Sequence, residues 1–257
     1  MNKKIRNASL IYFLCFFFLS MPVQLIYAQE TSSVSESYFD EALYDELDSD
    51  YEQEAISDPI EPFNRAMFYF NDKLYFYLLK PVAKGYNFIL PEPARERIDN
   101  AFYNVRFPIR FVNNLLQANF KYAGVELGRF VVNSTVGLLG FFKPADKMPA
   151  LEEPPAKDTD LTFGKWGIGN GFYIVWPIFG PNTARSTFGL AGDFFLNPIN
   201  PLLIDPNWVP TAIKAEEQLN RTSLHLGEYE NVKENALDPY VAIRNGYIKY
   251  RENQLNK

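Results

Sequence analysis

The chain has 257 residues, of which 47% are hydrophobic and 16% aromatic, the composition of one compact domain with extensions and not of a disordered protein. Its single cysteine, Cys15, excludes a disulfide framework and a thiolate metal site, and its single histidine, His225, excludes an ordinary zinc site. The formal charge of −6 is unevenly placed: twelve acidic residues and no basic one lie from Glu30 to Glu61, whereas residues 62–257 carry 22 basic and 19 acidic side chains, net +3 (22 − 19), and no nucleic acid partner is expected.

In chain order, Lys3, Lys4 and Arg6 precede an apolar run from Leu10 to Leu19, and Ala28 follows at a small-residue cleavage position. Residues 1–28 therefore read as a secretory signal peptide, too short in its apolar run to span a bilayer core, which needs about 20 such residues. Leu14 precedes Cys15 where a lipobox has a small residue, so cleavage after Ala28 is expected in place of lipidation at Cys15. Residues 29–57 form an acidic leader, read as a disordered tether. "FNRAMFYFNDKLYFYLLK", Phe63 to Lys80, predicts a helix. Steps of 100° place Phe63, Ala66, Met67, Phe70, Leu74, Tyr77 and Leu78 on one apolar half, expected to be core. The opposite half mixes Asn64, Arg65, Asn71, Asp72 and Lys73 with Phe68, Tyr69, Tyr75, Phe76 and Leu79. A helix facing only water has no need of that second aromatic band.

A second helix begins within "LPEPARERIDNAFYNV" and is broken at Pro108, and residues 109–117 and 120–137 continue with helical spacing. Residues 143–160 are a polar, Pro-rich connection. After the stretch "FGKWGIGNGFYIVWPIFGP" comes a Pro-punctuated apolar segment, and residues 211–236 and 238–254 read as amphipathic helices. Extended backbone is expected only near Phe172 to Pro177.

The residues exclude the common chemistries. No Gly-x-Ser-x-Gly elbow or His-Glu-x-x-His pair is present, and His225 in "SLHLG" reads as structural. Gly164-Lys165 is followed by Trp166 where a phosphate loop needs Ser or Thr, and Gly167, Gly169 and Gly171 precede a β-branched, Pro-terminated segment, not the helix that a dinucleotide site requires. Two readings of this stretch stay open: a structural hairpin, or a mobile loop presenting Trp166, Phe172, Tyr173 and Trp176 to a lipid interface.

Several motifs in order, "DPIEPFNRAMFYFND", "PEPARERIDNAFYNV", "GRFVVNSTVGLLGFF", "FGKWGIGNGFYIVWPIFGPNTAR", "GDFFLNP" and "DPYVAIRNGYIKYR", resemble the MlaA (VacJ) family. The resemblance spans roughly Asp58 to Arg251. It departs from the family where Ser186 follows Arg185 in place of an Asp. The resemblance implies a mainly α fold over residues 58–257: a ring-like bundle of amphipathic helices with a Gly/aromatic hairpin loop, embedded in the periplasmic leaflet of the outer membrane. It implies phospholipid as cargo, a trimeric porin and a soluble periplasmic carrier of an ABC transport system as partners, and neither enzyme activity nor cofactor nor metal.

On that basis Asn64, Arg65, Asn71, Arg106, Arg110 and Arg129 are candidates for lining a polar lipid passage, with ion pairs and caps within an α fold as the competing reading. Gly164, Trp166, Gly167, Gly169, Gly171 and Arg185 are candidates for a gating loop. The expected role is that of a passive conduit removing phospholipid from the outer leaflet. A non-catalytic structural or interaction protein is the alternative.

Overall fold

The computed structural model describes residues 57–200, 204 and 208–257. The signal peptide, Cys15 and all of the acidic leader but Ser57 lie outside them. Helix α1 (Glu61–Leu74) runs through a π-helical turn (Tyr75–Leu79) into α2 (Lys80–Ile89). The helix predicted to end at Lys80 thus continues past Pro81. The wider turn, in which the Lys80 N–H donates to Tyr75 O, accommodates a residue that has no N–H of its own to give.

Helices α3 (Glu92–Val105) and α4 (Phe107–Leu116) flank the break at Arg106, with Pro93 and Pro108 in their first turns, where no donor is lost. Helix α5 (Phe120–Thr135) leads through two 3₁₀ turns (Pro144–Lys147 and Pro149–Leu151) into α6 (Thr159–Lys165), which is capped by the Asp158 carboxylate accepting from Leu161 N at 2.8 Å. Strands β1 (Tyr173–Trp176) and β2 (Gly180–Thr183) form an antiparallel hairpin with Tyr173 opposite Thr183. Helix α7 (Ala184–Leu196) starts with a capping box in which Ser186, the residue that departs from the family pattern, pairs with Thr183. Helices α8 (Trp208–Leu224), α9 (Glu228–Asn235) and α10 (Pro239–Asn256) complete the chain. The single helix expected over 211–236 is divided at Gly227, whose φ of +106° is a left-handed conformation that glycine adopts without steric cost.

Neighbouring elements close a circuit. Helix α2 packs on α8, α8 on α3, and α3 on α4; α4 contacts α6 and α7, α6 lies against α10, α10 against β2, and β1 against α1. The fold is mainly α and ring-like. Among the described residues no helix is long and apolar enough to cross a membrane.

The hairpin is held to the ring by two asparagines seven residues apart on α1. Asn64 accepts from Val175 N at 2.7 Å and donates to Tyr173 O at 3.0 Å; Asn71 accepts from Ile178 N at 2.6 Å and donates to Trp176 O at 2.9 Å. Side-chain amides here take the place of a neighbouring strand. Ile178, at φ +72°, sits in a region that a β-branched residue rarely occupies, and Asn71 holds it there. Asn71→Ala strands both backbone groups, and we expect a loss of about 1–3 kcal/mol in urea unfolding in detergent, with the hairpin as the first segment to gain hydrogen exchange.

Candidate functional site

The body is built with its polar side in. Among the described residues, 31 polar or charged side chains are buried against 16 hydrophobic ones, while 26 large hydrophobic side chains are exposed. Water-soluble folds do the reverse. Helix α1 shows the inversion residue by residue. Its buried positions are Asn64, Phe68, Asn71 and Asp72, whereas Phe63 is 45% and Phe70 48% exposed, and Tyr77 in the π turn 78%. Most of the half expected to be core, namely Phe63, Ala66, Phe70, Tyr77 and Leu78, is therefore the outer face, a correction to the sequence reading, while Met67 packs against the buried cluster around Phe68 and Tyr240. Periodicity identified the stripe correctly, but the direction it faces depends on what surrounds the molecule. Helix α5 repeats the arrangement, with Ala123, Glu126, Arg129 and Asn133 inward and Phe120, Leu127 and Val131 outward.

Most of the buried charges are paired. Arg110 meets Glu126 at 3.1 Å, donates to Tyr103 O at 3.0 Å and lies 3.7 Å above the Tyr103 ring centroid. Burial opposes its charge, but the surrounding Tyr103, Glu126 and Glu153 more than offset this and its pKa is raised. Arg129, only 2% exposed, binds Asp146 at 2.6 Å, Glu153 at 2.9 Å and Leu151 O at 2.7 Å, and so ties the 3₁₀ turns to α5. Arg106, at the break between α3 and α4, pairs with Glu217 of α8 across the ring wall. Arg65 bridges Glu61 and Asp238 and stacks on Tyr240. The six polar residues singled out from sequence are thus not gathered at one point. Asn64, Arg65 and Asn71 lie beside the hairpin and α10, whereas Arg106, Arg110 and Arg129 lie where α3, α4 and α5 meet α8 and the 3₁₀ turns.

The glycine and aromatic stretch forms a defined structure. Gly167 (φ +88°) terminates α6 in a double turn, with Ile168 N donating to Phe163 O at 3.0 Å and Gly167 N to Gly164 O at 2.9 Å. The following loop presents Trp166, Ile168 and Phe172 to the outside, and the Trp166 indole N–H holds Leu116 O at 3.2 Å. Arg185 clamps the loop from within. Its backbone N donates to Asn170 O at 3.1 Å, its Nη1 to Ile168 O at 3.0 Å and its Nε to Asp160 at 2.6 Å. A Cβ at Gly164 would meet Arg185 Nη1 at 2.8 Å and one at Gly171 (φ +68°) would meet Ala184 Cβ at 2.8 Å, whereas one at Gly169 would meet nothing within 4 Å. Gly169 is therefore the glycine that neither turn nor packing requires.

Sequence reasoning missed the buried acids on which this region rests. Asp160 takes both Arg185 and Arg251; although burial acts to raise its pKa, these two guanidiniums hold it below the ordinary carboxylate value. Arg185 thus has its ion pair without an Asp at position 186. The signal available was a run of Asp in "KDTDLTFGK", which reads as a solvated cap and carries no mark of burial. Asp193 of α7 accepts from Thr159 N at 3.0 Å and Thr159 Oγ1 at 2.6 Å, and burial, with Asp158 nearby, pushes its pKa up to about 7.

A carboxyl whose folded pKa lies above its unfolded one contributes stability below that range and loses it as pH rises through the folded value. Thermal unfolding in detergent is accordingly expected to show a midpoint that falls between pH 5 and pH 8, and Asp193→Asn, which stays neutral, flattens this slope.

These features decide the comparison with known proteins. The profile of the MlaA lipoprotein family matches residues 56–254. The chain belongs to the MlaA family. The intermembrane phospholipid transport system lipoprotein MlaA of Escherichia coli (strain K12) is 30% identical over 200 residues, covering 77% of this chain and 78% of that protein. Its counterpart in Haemophilus influenzae is 29% identical over 202 residues, covering 78% and 80%. A Rickettsia felis protein is 32% identical over 198 residues, 77% of each chain. A solved structure described as the structural basis for maintenance of bacterial outer membrane lipid asymmetry superposes with a TM-score of 0.67 at 29% identity, covering 78% of this chain and all of that one. MlaA is a family of lipid transport components and not of enzymes.

Proposed function

We propose that this protein is the outer-membrane component of an intermembrane phospholipid transport system, and that it acts as a passive conduit taking phospholipid from the outer leaflet to a soluble periplasmic carrier. The relatives named above supply the system. The inverted body carries the mechanistic part. A ring with aromatic and aliphatic side chains outside and ion pairs inside is stable where acyl tails are the solvent, since tails solvate the rings and most of the buried charges find partners within. Without a span-length helix, such a body fits one leaflet, here the periplasmic one, with a trimeric porin as neighbour.

A lipid crossing from one leaflet to the other must keep its headgroup out of hydrocarbon, where an unpaired charge is very costly. A polar interior removes that barrier. Asn64, Arg65, Asn71, Arg106, Arg110 and Arg129 are proposed to build its wall, their partners within the chain setting its shape. The loop carrying Gly164, Trp166, Gly167, Gly169 and Gly171, clamped by Arg185, is proposed to flank the opening. Transfer then draws no energy from the protein, and the partners set its direction.

The test uses the purified protein in vesicles carrying a fluorescent phospholipid in one leaflet. Acceleration of transfer without nucleotide and without release of fatty acid is expected, and no acceleration rejects the conduit. Gly169→Pro stiffens a position that packing leaves free and is expected to slow transfer several-fold in a normally folded protein. Unchanged transfer by that variant removes the gate and leaves the conduit.

A further inference from the structure

The chain contains two Asn-Gly dipeptides, Asn170-Gly171 and Asn245-Gly246, and the fold treats them oppositely. Asn245 is buried within α10, where it accepts from Arg244 Nε at 3.2 Å and Gly246 lies in the helical hydrogen-bond ladder. Asn170 and Gly171 lie in irregular backbone between α6 and β1, with Gly171 exposed at φ +68°. Among the described residues nothing bonds to the Asn170 side-chain amide or to the Gly171 N–H. The backbone is pinned on both sides of this pair: Asn170 O accepts from Arg185 N at 3.1 Å and Phe172 O from Ala184 N at 3.0 Å.

Asparagine is thermolabile where the next backbone nitrogen reaches its side-chain carbonyl carbon, and glycine, which has no Cβ, hinders that approach least. The Gly171 nitrogen adds to Asn170 Cγ, the Cγ–Nδ2 bond breaks, and ammonia leaves with the proton that the nitrogen gives up. Water then opens the resulting succinimide. Cleavage of the new bond to Cγ gives aspartate, and cleavage of the bond to the backbone carbonyl carbon gives isoaspartate. In isoaspartate the carbonyl that Arg185 N holds has left the main chain as a carboxylate, and the path to Phe172 has gained a methylene.

We propose that Asn170 is a site of spontaneous covalent modification, converted through a succinimide to aspartate and isoaspartate, and that isoaspartate releases the loop from Arg185. The chemistry depends on no role assigned to the loop. The detergent-purified, folded protein is incubated at mildly alkaline pH and digested with trypsin, which separates residues 166–185 from residues 245–249. Asn170 is expected to convert about tenfold or more faster than Asn245, which must wait for α10 to open. Fragment masses distinguish Asn170 from Asn182 in the first peptide, and an isoaspartyl methyltransferase labels the isomerised product. Asn170→Gln, in which a larger ring would have to close, should remove both signals.

Conversion of Asn170 no faster than that of Asn245 in the folded protein overturns the proposal, as does methyltransferase labelling that survives in Asn170→Gln. In guanidinium the two asparagines should convert at similar rates, and a persistent difference there overturns the fold as the source of selectivity. Loop peptides carrying isoaspartate should exchange their amides about tenfold faster than unmodified ones from the same sample, because the Arg185 anchor is lost. Equal exchange overturns the release of the loop.

Discussion

Replacing Leu138, Leu139 and Phe142 together by aspartate is expected to abolish flotation of the protein with phospholipid vesicles while leaving its unfolding in detergent unchanged. All three side chains are exposed, on the turn that follows α5. Leu138 (φ +53°) and Leu139 (φ +61°) are also held in left-handed backbone, a conformation that costs a non-glycine residue about 1–2 kcal/mol. Water gives no return on that strain, since it gains nothing from two leucines displayed on a strained turn.

Acyl chains do. Burying a large apolar side chain contributes about 1.5–3 kcal/mol, so three of them exceed a thousandfold in partitioning. Aspartate tolerates left-handed backbone better than leucine, and the polar anchors of this turn lie inside: Asn133 Oδ1 accepts from Ala145 N at 3.1 Å and Asn104 from within meets Ser134 at 2.8 Å. The substitutions leave these anchors in place and remove one surface contact, the Arg97 guanidinium 4.8 Å from the Phe142 ring centroid. Undiminished flotation would show that this face meets no lipid, and the interpretation of the inverted surface would lose its main support.

The second large effect is expected at Asp160. Asp160→Ala leaves Arg185 and Arg251, both almost wholly buried, short of a carboxylate, and a loss of about 3–5 kcal/mol is expected in urea unfolding. The two arginines do not suffer equally. Arg251 keeps Asp158 at 2.8 Å, whereas the Arg185 guanidinium retains only the Ile168 carbonyl oxygen of the loop it clamps. The loop from Trp166 to Phe172 should therefore become the first site of proteolytic nicking. Adding Arg185→Met removes the orphaned charge and should recover part of the stability, a coupling that a double-mutant cycle reads directly. Equal sensitivity of the single and double variants would mean that the ion pair contributes nothing beyond its packing.

Much of the architecture could be read from the residues because helix signals are local. The prolines at 93 and 108 open helices α3 and α4, Gly167 closes α6, and the β-branched run near Tyr173 forms the only strand pair among the described residues. Pro81 was misleading for an equally local reason: a proline normally ends a helix, and only the π turn before it allows this one to continue. The buried acids were not legible, since an Asp that caps a helix in water and an Asp that neutralises two buried arginines have the same neighbours in sequence.

By itself the sequence determined the helical class, the hairpin and the family to which the chain belongs. These depend on backbone preferences, residue inventories and ordered motifs that survive outside the fold. Tertiary structure alone decided which half of each helix faces inward, because a hydrophobic stripe records only that apolar atoms share a side. It is the paired arginines and asparagines brought together from distant segments that claim the interior, and their need for partners within reach turns the aromatic rings outward.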